Sequence, residues 1–126
     1  MTSFKFQRLN VYQKATVFCN QVYGITKKWP REYSLDITSQ IRRAALSIPL
    51  NIAEGTSRTK KDFSRFIDIA RGSCYECVAL VEIATSLSLV PDETKSNLFA
   101  NLEEISKMLA GLKKSINYEP KVSSES

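Results

Sequence analysis

The sequence has 126 residues, of which 43% are hydrophobic and 25% are charged, so it predicts one soluble domain with a buried core. Four glycines and four prolines are too few for a β protein with many tight turns. The absence of histidine removes the commonest general base and the commonest metal ligand. A net charge of +5 favours a nucleic acid, an acidic protein or a membrane surface as partner.

The first helix is predicted from about Asn10 to about Lys28, because Pro30 pushes the residue before it out of the α region. Its apolar residues recur every three or four positions: Val11, Ala15, Phe18, Val22 and Ile25. The second helix is predicted over about 35–54, with Ser34 or Asp36 as its N-cap and Gly55 as a left-handed C-cap.

Pro49 lies inside the second helix, where a proline removes one backbone hydrogen bond and clashes with the carbonyl of Ala45, at about 3 kcal/mol. We interpret the segment as one continuous helix with a kink, since Ile48 would be a poor cap for a new helical turn. The freed carbonyl of Ala45 then needs a donor, and a nearby side chain, such as an arginine or asparagine, is expected to supply it.

Two longer helices complete the pattern, over about 60–89 and about 92–117, again with apolar residues every three or four positions. This spacing averages 3.5 residues and is typical of left-handed bundle packing. The predicted fold is therefore all-α, an antiparallel up-down four-helix bundle in one domain, 1–118, with a disordered tail, 119–126.

The lines of apolar residues along which the helices are predicted to pack are called seams here. Several further apolar residues lie beside these seams: Phe66, Ile69, Leu80 and Leu87 in the third helix and Leu46 and Leu50 in the second. They either pack at the rim of the bundle or form a subunit interface, and the pattern favours neither interpretation.

The cysteines and carboxylates do not predict catalysis. Cys74 and Cys77 are one helical turn apart on the apolar seam, with no further ligands, so we expect small buried side chains rather than a metal or redox site. Together with Cys19 they make an odd number, and no apolar export segment or membrane span is visible, so we expect a cytoplasmic protein.

The carboxylates of the central region are expected to form ordinary ion pairs: Glu54, Asp62, Asp68 and Glu76. We predict no enzymatic activity, no metal and no cofactor.

Positive charge concentrates between Arg42 and Arg71, where seven basic and three acidic residues occur. A compact set follows Gly55, on the loop and the next helical turns: Arg58, Lys60, Lys61 and Arg65. These side chains can neutralise phosphates without reading sequence, although on a single subunit a solvated loop and helix end is the slightly favoured interpretation. Arg42 and Arg43 are further candidates for phosphate contact, but either can instead lie at a subunit contact.

A polar stripe runs along the second helix beside its isoleucines, and three of its members are assigned to structure. Gln40, Asn51 and Glu54 are expected to form a polar network around the Pro49 kink.

Three segments and Glu76 resemble a known family: "LNVYQKA" (9–15), "QIRRAALSIPLNIAEG" (40–55) and "SRTKKDFSRFIDIARGS" (57–73). They are similar to the bacterial four-helix-bundle proteins first noticed as reading frames inside intervening sequences of 23S ribosomal RNA genes. The resemblance covers about Phe6 to Ile116. Cys77 and Val78 depart from it, because relatives are often more polar or charged there.

The resemblance implies a ring-like homopentamer with no enzymatic activity. Members are similar to the accessory protein of diversity-generating retroelements, a basic pentamer that binds nucleic acid and its reverse transcriptase. We therefore expect a non-enzymatic pentamer that binds RNA or DNA through basic patches repeated around the ring. The alternative is an interaction scaffold that docks an acidic or ribonucleoprotein partner, and a third, less favoured hypothesis is a carboxylate-dependent nuclease.

Overall fold

The computed structural model describes residues 3–118, all of whose regular elements are helical, so the all-α class is confirmed. Short 3₁₀ turns occur at Lys5–Arg8 and Arg31–Tyr33. The four long helices are α1 (Asn10–Thr26), α2 (Ile37–Thr56), α3 (Lys60–Ser86) and α4 (Asp92–Asn117). The tail predicted to be disordered, 119–126, lies outside the described residues.

Three of the four helices have ends that differ from the predicted ones by two or three residues. Helix α1 ends at Thr26 rather than Lys28, and α2 is shifted two residues towards the C-terminus. Helix α3 ends at Ser86 rather than Leu89, whereas α4 has the predicted bounds. Asp36 is the N-cap of α2, and its carboxylate accepts a hydrogen bond from the backbone amide of Ile37.

Each long helix packs against its neighbours in the chain, and α4 also packs against α1, which closes a four-helix bundle. Contacting residues run in opposite directions along neighbouring helices. Cys19 meets Ala45, whereas Thr26, further along α1, meets Arg42, which comes earlier in α2. The same reversal holds between α2 and α3 and between α3 and α4.

This order puts the connections at two opposite ends of the bundle. The α2–α3 end contains residues 56–60 together with Asn117, the last residue of α4. The side chain of Asn117 accepts a hydrogen bond from Ser64 of α3. The α3–α4 end contains residues 26–37 and 86–92.

The core lies between the helices, along the seams predicted from the apolar spacing. Its largest fully buried side chains come from all four helices: Phe18, Ile41, Ile48, Ile52, Ile67, Leu98, Leu102, Ile105 and Leu109. Burying one such side chain contributes about 1.5–3 kcal/mol, so this core is the main source of stability.

The apolar residues beside the seams divide into two groups. Leu80 is buried and Phe66 is half-buried, as rim packing predicts. The others are exposed on the outside of α2 and α3: Leu46, Leu50, Ile69 and Leu87. Within residues 3–118, no helix has both the length and the apolar content needed to cross a membrane.

Helix α2 continues through Pro49, which is buried in its interior. A side chain does bond the carbonyl of Ala45, as expected, but it belongs to a cysteine rather than to an arginine or asparagine. The thiol of Cys19 lies 3.1 Å from that carbonyl oxygen and donates a hydrogen bond to it inside the core. A residue on α1 thus supplies the donor that Pro49 cannot, while the kink at Pro49 stays a prediction.

Gly55 is not the left-handed C-cap predicted from the sequence, because it lies inside α2 and no glycine among residues 3–118 has a positive φ. It is buried where α2 approaches the start of α3. A Cβ atom at this position would lie 2.6 Å from Cδ1 of Phe63 and 3.0 Å from Cβ of Phe66. Glycine is therefore required here for close helix packing rather than for its backbone freedom.

The left-handed residue in the described chain is Ser88, with a φ of 61°. It follows Leu87, the C-cap of α3, in a Schellman motif. The backbone amide of Leu89 donates a hydrogen bond to the carbonyl of Ala84 at 2.9 Å. The backbone amide of Ser88 donates one to the carbonyl of Thr85 at 3.0 Å. This motif ends α3 three residues before the predicted position.

Candidate nucleic-acid interface

The compact basic set predicted from the sequence lies at the α2–α3 end. Thr59 is the N-cap of α3, and its hydroxyl accepts a hydrogen bond from the amide of Asp62 at 3.2 Å. This cap fixes the direction in which α3 begins, and with it the positions of the basic side chains in its first turns. All four of them are exposed: Arg58, Lys60, Lys61 and Arg65.

Lys60 and Lys61 are the first two residues of α3. Neither forms an ion pair with any residue between 3 and 118. The unsatisfied amides at a helix N-terminus carry partial positive charge, which adds to that of the two ammonium groups. This is consequently the part of the basic set best suited to an anion.

Arg58 and Arg65 are paired within the subunit. Arg58 lies 2.7 Å from a carboxylate oxygen of Glu54, and Arg65 lies 3.4 Å from one of Asp62. Their guanidinium carbons are 5.5 and 5.9 Å from the centre of the Phe66 ring. Because exposed ion pairs contribute only about 0–1 kcal/mol, both arginines can exchange a carboxylate for a phosphate.

A shallow cavity of about 390 Å³ adjoins the two lysines. It is completed by Ser64 and by Ile116 and Asn117 of α4, and the Ser64 hydroxyl donates to the Asn117 side-chain oxygen at 2.8 Å. The end of α4 thus forms part of this surface, which sequence reasoning missed.

Two lysines near the end of α4 were also missed as neighbours of the basic set. Lys113 is held by both carboxylate oxygens of Asp68, at 2.8 and 3.0 Å, whereas Lys114 is exposed. The signal that could have identified them is the up-down order itself, which brings the last turn of α4 next to the first turns of α3.

Arg42 and Arg43 are separated from this surface. Thr56, at the end of α2, is thirteen positions beyond Arg43, which corresponds to about 20 Å of helix. The Arg42 side chain is held against α1, where its Nε donates to the hydroxyl of Thr26 at 2.8 Å and its guanidinium lies 4.5 Å from the Tyr23 ring centre. Arg43 is exposed. The two further candidates for phosphate contact, Arg42 and Arg43, therefore lie apart from the compact set of four.

The three residues assigned to a polar network make separate contacts. Gln40 donates to Glu76 on α3 at 2.8 Å, and Glu54 pairs with Arg58. Asn51 donates to the backbone carbonyl and the hydroxyl of Ser47, at 2.7 and 2.9 Å.

Ser47 extends the Asn51 contact to α3, because its hydroxyl lies 2.7 Å from that of Ser73. Asn51 is thus the member of the predicted network that helps to join α2 to α3, and the need created by Pro49 is met by Cys19 instead.

The cysteine side chains are buried, as the apolar spacing predicts. Burial raises the pKa of the Cys19 thiol to about 11 and that of Cys74 to about 12, and it raises the pKa of Cys77 further. All three are therefore neutral near pH 7. Among residues 3–118, no cluster of acidic and cysteine side chains has the geometry of a metal site.

Comparison with known proteins agrees with the segments described above. The family model for the 23S rRNA-intervening sequence protein matches residues 7–111, from the first 3₁₀ turn into α4. The chain belongs to this family. The match includes the whole of α2 with Pro49 and Gly55, and the start of α3 with its basic residues, so the predicted family is confirmed.

A solved structure has the same fold. A protein of unknown function from the S23 ribosomal protein family of Bacteroides thetaiotaomicron is similar to the chain, with a TM-score of 0.77 and 24% identity. The likeness covers 82% of this chain and 95% of that one. At this identity it shows the shared fold alone. No curated protein matches the chain significantly.

Proposed function

We propose that this family member is a non-enzymatic, cytoplasmic protein that binds RNA or DNA as a ring-like homopentamer. Each subunit contributes the exposed basic surface of the α2–α3 end: Arg58, Lys60, Lys61 and Arg65. The observation that carries the proposal is the pair Lys60 and Lys61, which are exposed, without a carboxylate partner among residues 3–118, and placed at a helix N-terminus.

The chemistry of this surface suits phosphate backbones rather than base edges. Lysine and arginine on short, exposed turns contact phosphates, and such contacts give affinity without sequence preference. Phe66, half-buried between Arg58 and Arg65, adds an aromatic face beside the cations. Repetition of the surface around a ring adds the fields of the subunits and raises the avidity for a long polyanion.

Titration of labelled single-stranded RNA and duplex DNA at several salt concentrations tests the proposal. We expect affinity to fall steeply with salt, since each neutralised phosphate contributes a slope of about −0.7 for single strands and about −0.9 for duplex DNA. Changing Lys60, Lys61 and Arg65 together to glutamate should abolish binding. Absence of binding at low salt, or binding that the three changes leave unaltered, would contradict the proposal.

The same samples separate binding from catalysis. If the family member were a nuclease, RNA would be cut in the presence of Mg²⁺ and Glu54→Gln or Asp62→Asn would stop the cleavage. We expect intact RNA, because no group of three acidic or cysteine side chains among residues 3–118 is placed to hold the Mg²⁺ that such cleavage needs.

Assembly into a ring is supported by the exposed apolar side chains on the outside of α2 and α3, among them Leu46, Leu50 and Ile69. Light scattering coupled to size-exclusion chromatography measures the oligomeric mass. We expect five subunits, and Leu50→Asp with Ile69→Asp should dissociate them. A stable monomer would contradict the ring and weaken the argument from repeated charge.

The same basic surface also fits the alternative function, a scaffold that docks an acidic or ribonucleoprotein partner. A pull-down with and without nuclease distinguishes the two. Partners that are lost after nuclease treatment support nucleic-acid binding, and partners that are retained support the scaffold.

A further inference from the structure

A second concave surface lies between α3 and α4, away from the basic set. It is a cavity of about 480 Å³ whose apolar lining includes Cys74, Val78, Phe99 and Leu102. Cys74 and Leu102 are buried core residues, so the cavity reaches down to the core between the two helices. Its volume is within the range of small-molecule sites, about 300–1,000 Å³, and such sites are mostly apolar with a few polar groups.

One cationic side chain in this lining has an unmet hydrogen-bonding need. The Nε atom of Arg71 is buried and has no hydrogen-bond partner among the described residues. Its guanidinium forms no ion pair within residues 3–118, unlike those of Arg58 and Arg65. Because an unpaired buried donor is unfavourable, an acceptor oxygen from a ligand would stabilise the site.

The charges of the lining select the kind of acceptor. Arg71 and Lys107 are positive and Glu103 is negative, so the lining has a net charge of +1, which suits a monoanion. Lys107 and Glu103 are 3.5 Å apart in an exposed pair on α4, which leaves the Arg71 guanidinium as the main anion-binding group. A guanidinium matches the two oxygens of a carboxylate, and it does so best where water is partly excluded.

We propose that this cavity binds a small monocarboxylate with an apolar body. The carboxylate bonds to the Arg71 guanidinium and the apolar body lies against Val78 and Phe99. This proposal is independent of nucleic-acid binding, because none of the lining residues belongs to the basic set at the α2–α3 end.

Octanoate and its neutral counterpart octanamide are suitable probes, measured by isothermal titration calorimetry on the full chain. We expect octanoate to bind with a dissociation constant of about 0.1–1 mM, as suits a ligand of its size, and octanamide about tenfold more weakly. Amide shifts in two-dimensional NMR should be largest at Val78 and Ala110, which face the cavity from α3 and α4.

Two variants and a matched control identify the binding group. Arg71→Met should weaken octanoate binding about tenfold and leave octanamide within about twofold, since only the charged contact is removed. Arg31→Met removes an exposed guanidinium outside the cavity and should leave both probes unchanged. Ala110→Leu partly fills the cavity and should weaken both.

The proposal is overturned if octanoate does not saturate the protein at about 10 mM, well above the expected dissociation constant. It is also overturned if octanamide binds equally well, or if Arg71→Met leaves octanoate binding unchanged. If Arg71→Met fails to fold, the NMR shifts of the unaltered chain decide the question, because shifts that map elsewhere contradict the site.

Discussion

The two ends of the bundle carry similar lysine pairs in opposite electrostatic surroundings. Lys60 and Lys61 begin α3, where the positive end of the helix dipole lies, whereas Lys27 and Lys28 follow the last turn of α1, where the negative end of the dipole lies. The local potential at Lys60 and Lys61 is therefore reinforced by the start of α3, and that at Lys27 and Lys28 is partly offset by the end of α1. A count of charges along the chain does not distinguish these two pairs, but their position on the helices does.

The two ends also differ in the reason for which glycine is used or avoided. At the α2–α3 end a glycine with ordinary helical geometry, Gly55, provides room for two phenylalanines. At the α3–α4 end a left-handed backbone position is occupied by a serine, Ser88. Glycine thus occurs where space is limiting, and a residue with a Cβ atom occurs where the backbone favours glycine.

The largest expected effect comes from Gly55→Ala. We expect the free energy of unfolding to fall by about 2 kcal/mol, because overpacking against Phe63 and Phe66 outweighs the gain in helix propensity. Gly72→Ala is the matched control, since a Cβ atom there meets nothing within 4 Å, and it should raise stability by up to about 1 kcal/mol. Urea denaturation followed by circular dichroism measures both, and equal changes at the two positions would contradict the packing argument.

The charge comparison is tested by two double variants that remove the same number of positive charges. Lys60→Gln with Lys61→Gln should weaken single-stranded RNA binding about tenfold at ~0.1 M salt and reduce the salt slope by about 1.4. Lys27→Gln with Lys28→Gln should change the affinity by less than about twofold. Fluorescence anisotropy measures both, and a larger loss from the second pair would place the interface at the other end.

A smaller effect is expected at Ser88. Ser88→Gly should raise the free energy of unfolding by about 1 kcal/mol, because it removes the strain of a Cβ atom at positive φ. The same substitution two residues earlier, Ser86→Gly, lies within α3 and should lower stability by about 0.5 kcal/mol. Opposite signs from identical substitutions would confirm the left-handed backbone position of Ser88, and a loss of stability at both positions would refute it.

The smallest effect concerns the helix starts. Thr59 caps α3 with its side chain, whereas the N-cap of α4 at the other end, Pro91, makes no such bond. Thr59→Ala should lower the free energy of unfolding by about 0.5–1 kcal/mol, and Thr59→Ser should restore most of it. Thermal unfolding measures the difference, and a Thr59→Ser variant as unstable as Thr59→Ala would show that the threonine methyl group matters more than the cap.

Much of the fold is predictable because the apolar residues repeat at one helical period over four segments. Phe18, Ile52 and Ile105 need only this spacing to be placed in the core, so the helices and their all-α class follow directly. The caps are less predictable. The side-chain chemistry of Asp36 marks it as a candidate cap, but Gly55 resembles a turn residue because the sequence shows only its lack of a side chain.

The candidate interface is predictable in part for a similar reason. Its basic residues are close in sequence, so a loop and the first turns of one helix are enough to bring them together: Arg58, Lys60, Lys61 and Arg65. Contacts between distant segments are not predictable in this way. Examples are the position of Arg42 against Tyr23, the unpaired Arg71 and the end of α4 beside Lys60.

The helices, the apolar seams, the charge at the start of α3 and the family can all be established from the sequence, since each depends on residues near one another along the chain. The donor that satisfies Ala45, the reason for a glycine at position 55 and the place of the cavity beside Arg71 become clear from the folded chain. These features depend on atoms from different helices that come within a few ångströms of each other. Local periodicity fixes which face of a helix is buried, but it does not fix the partner that each atom meets there.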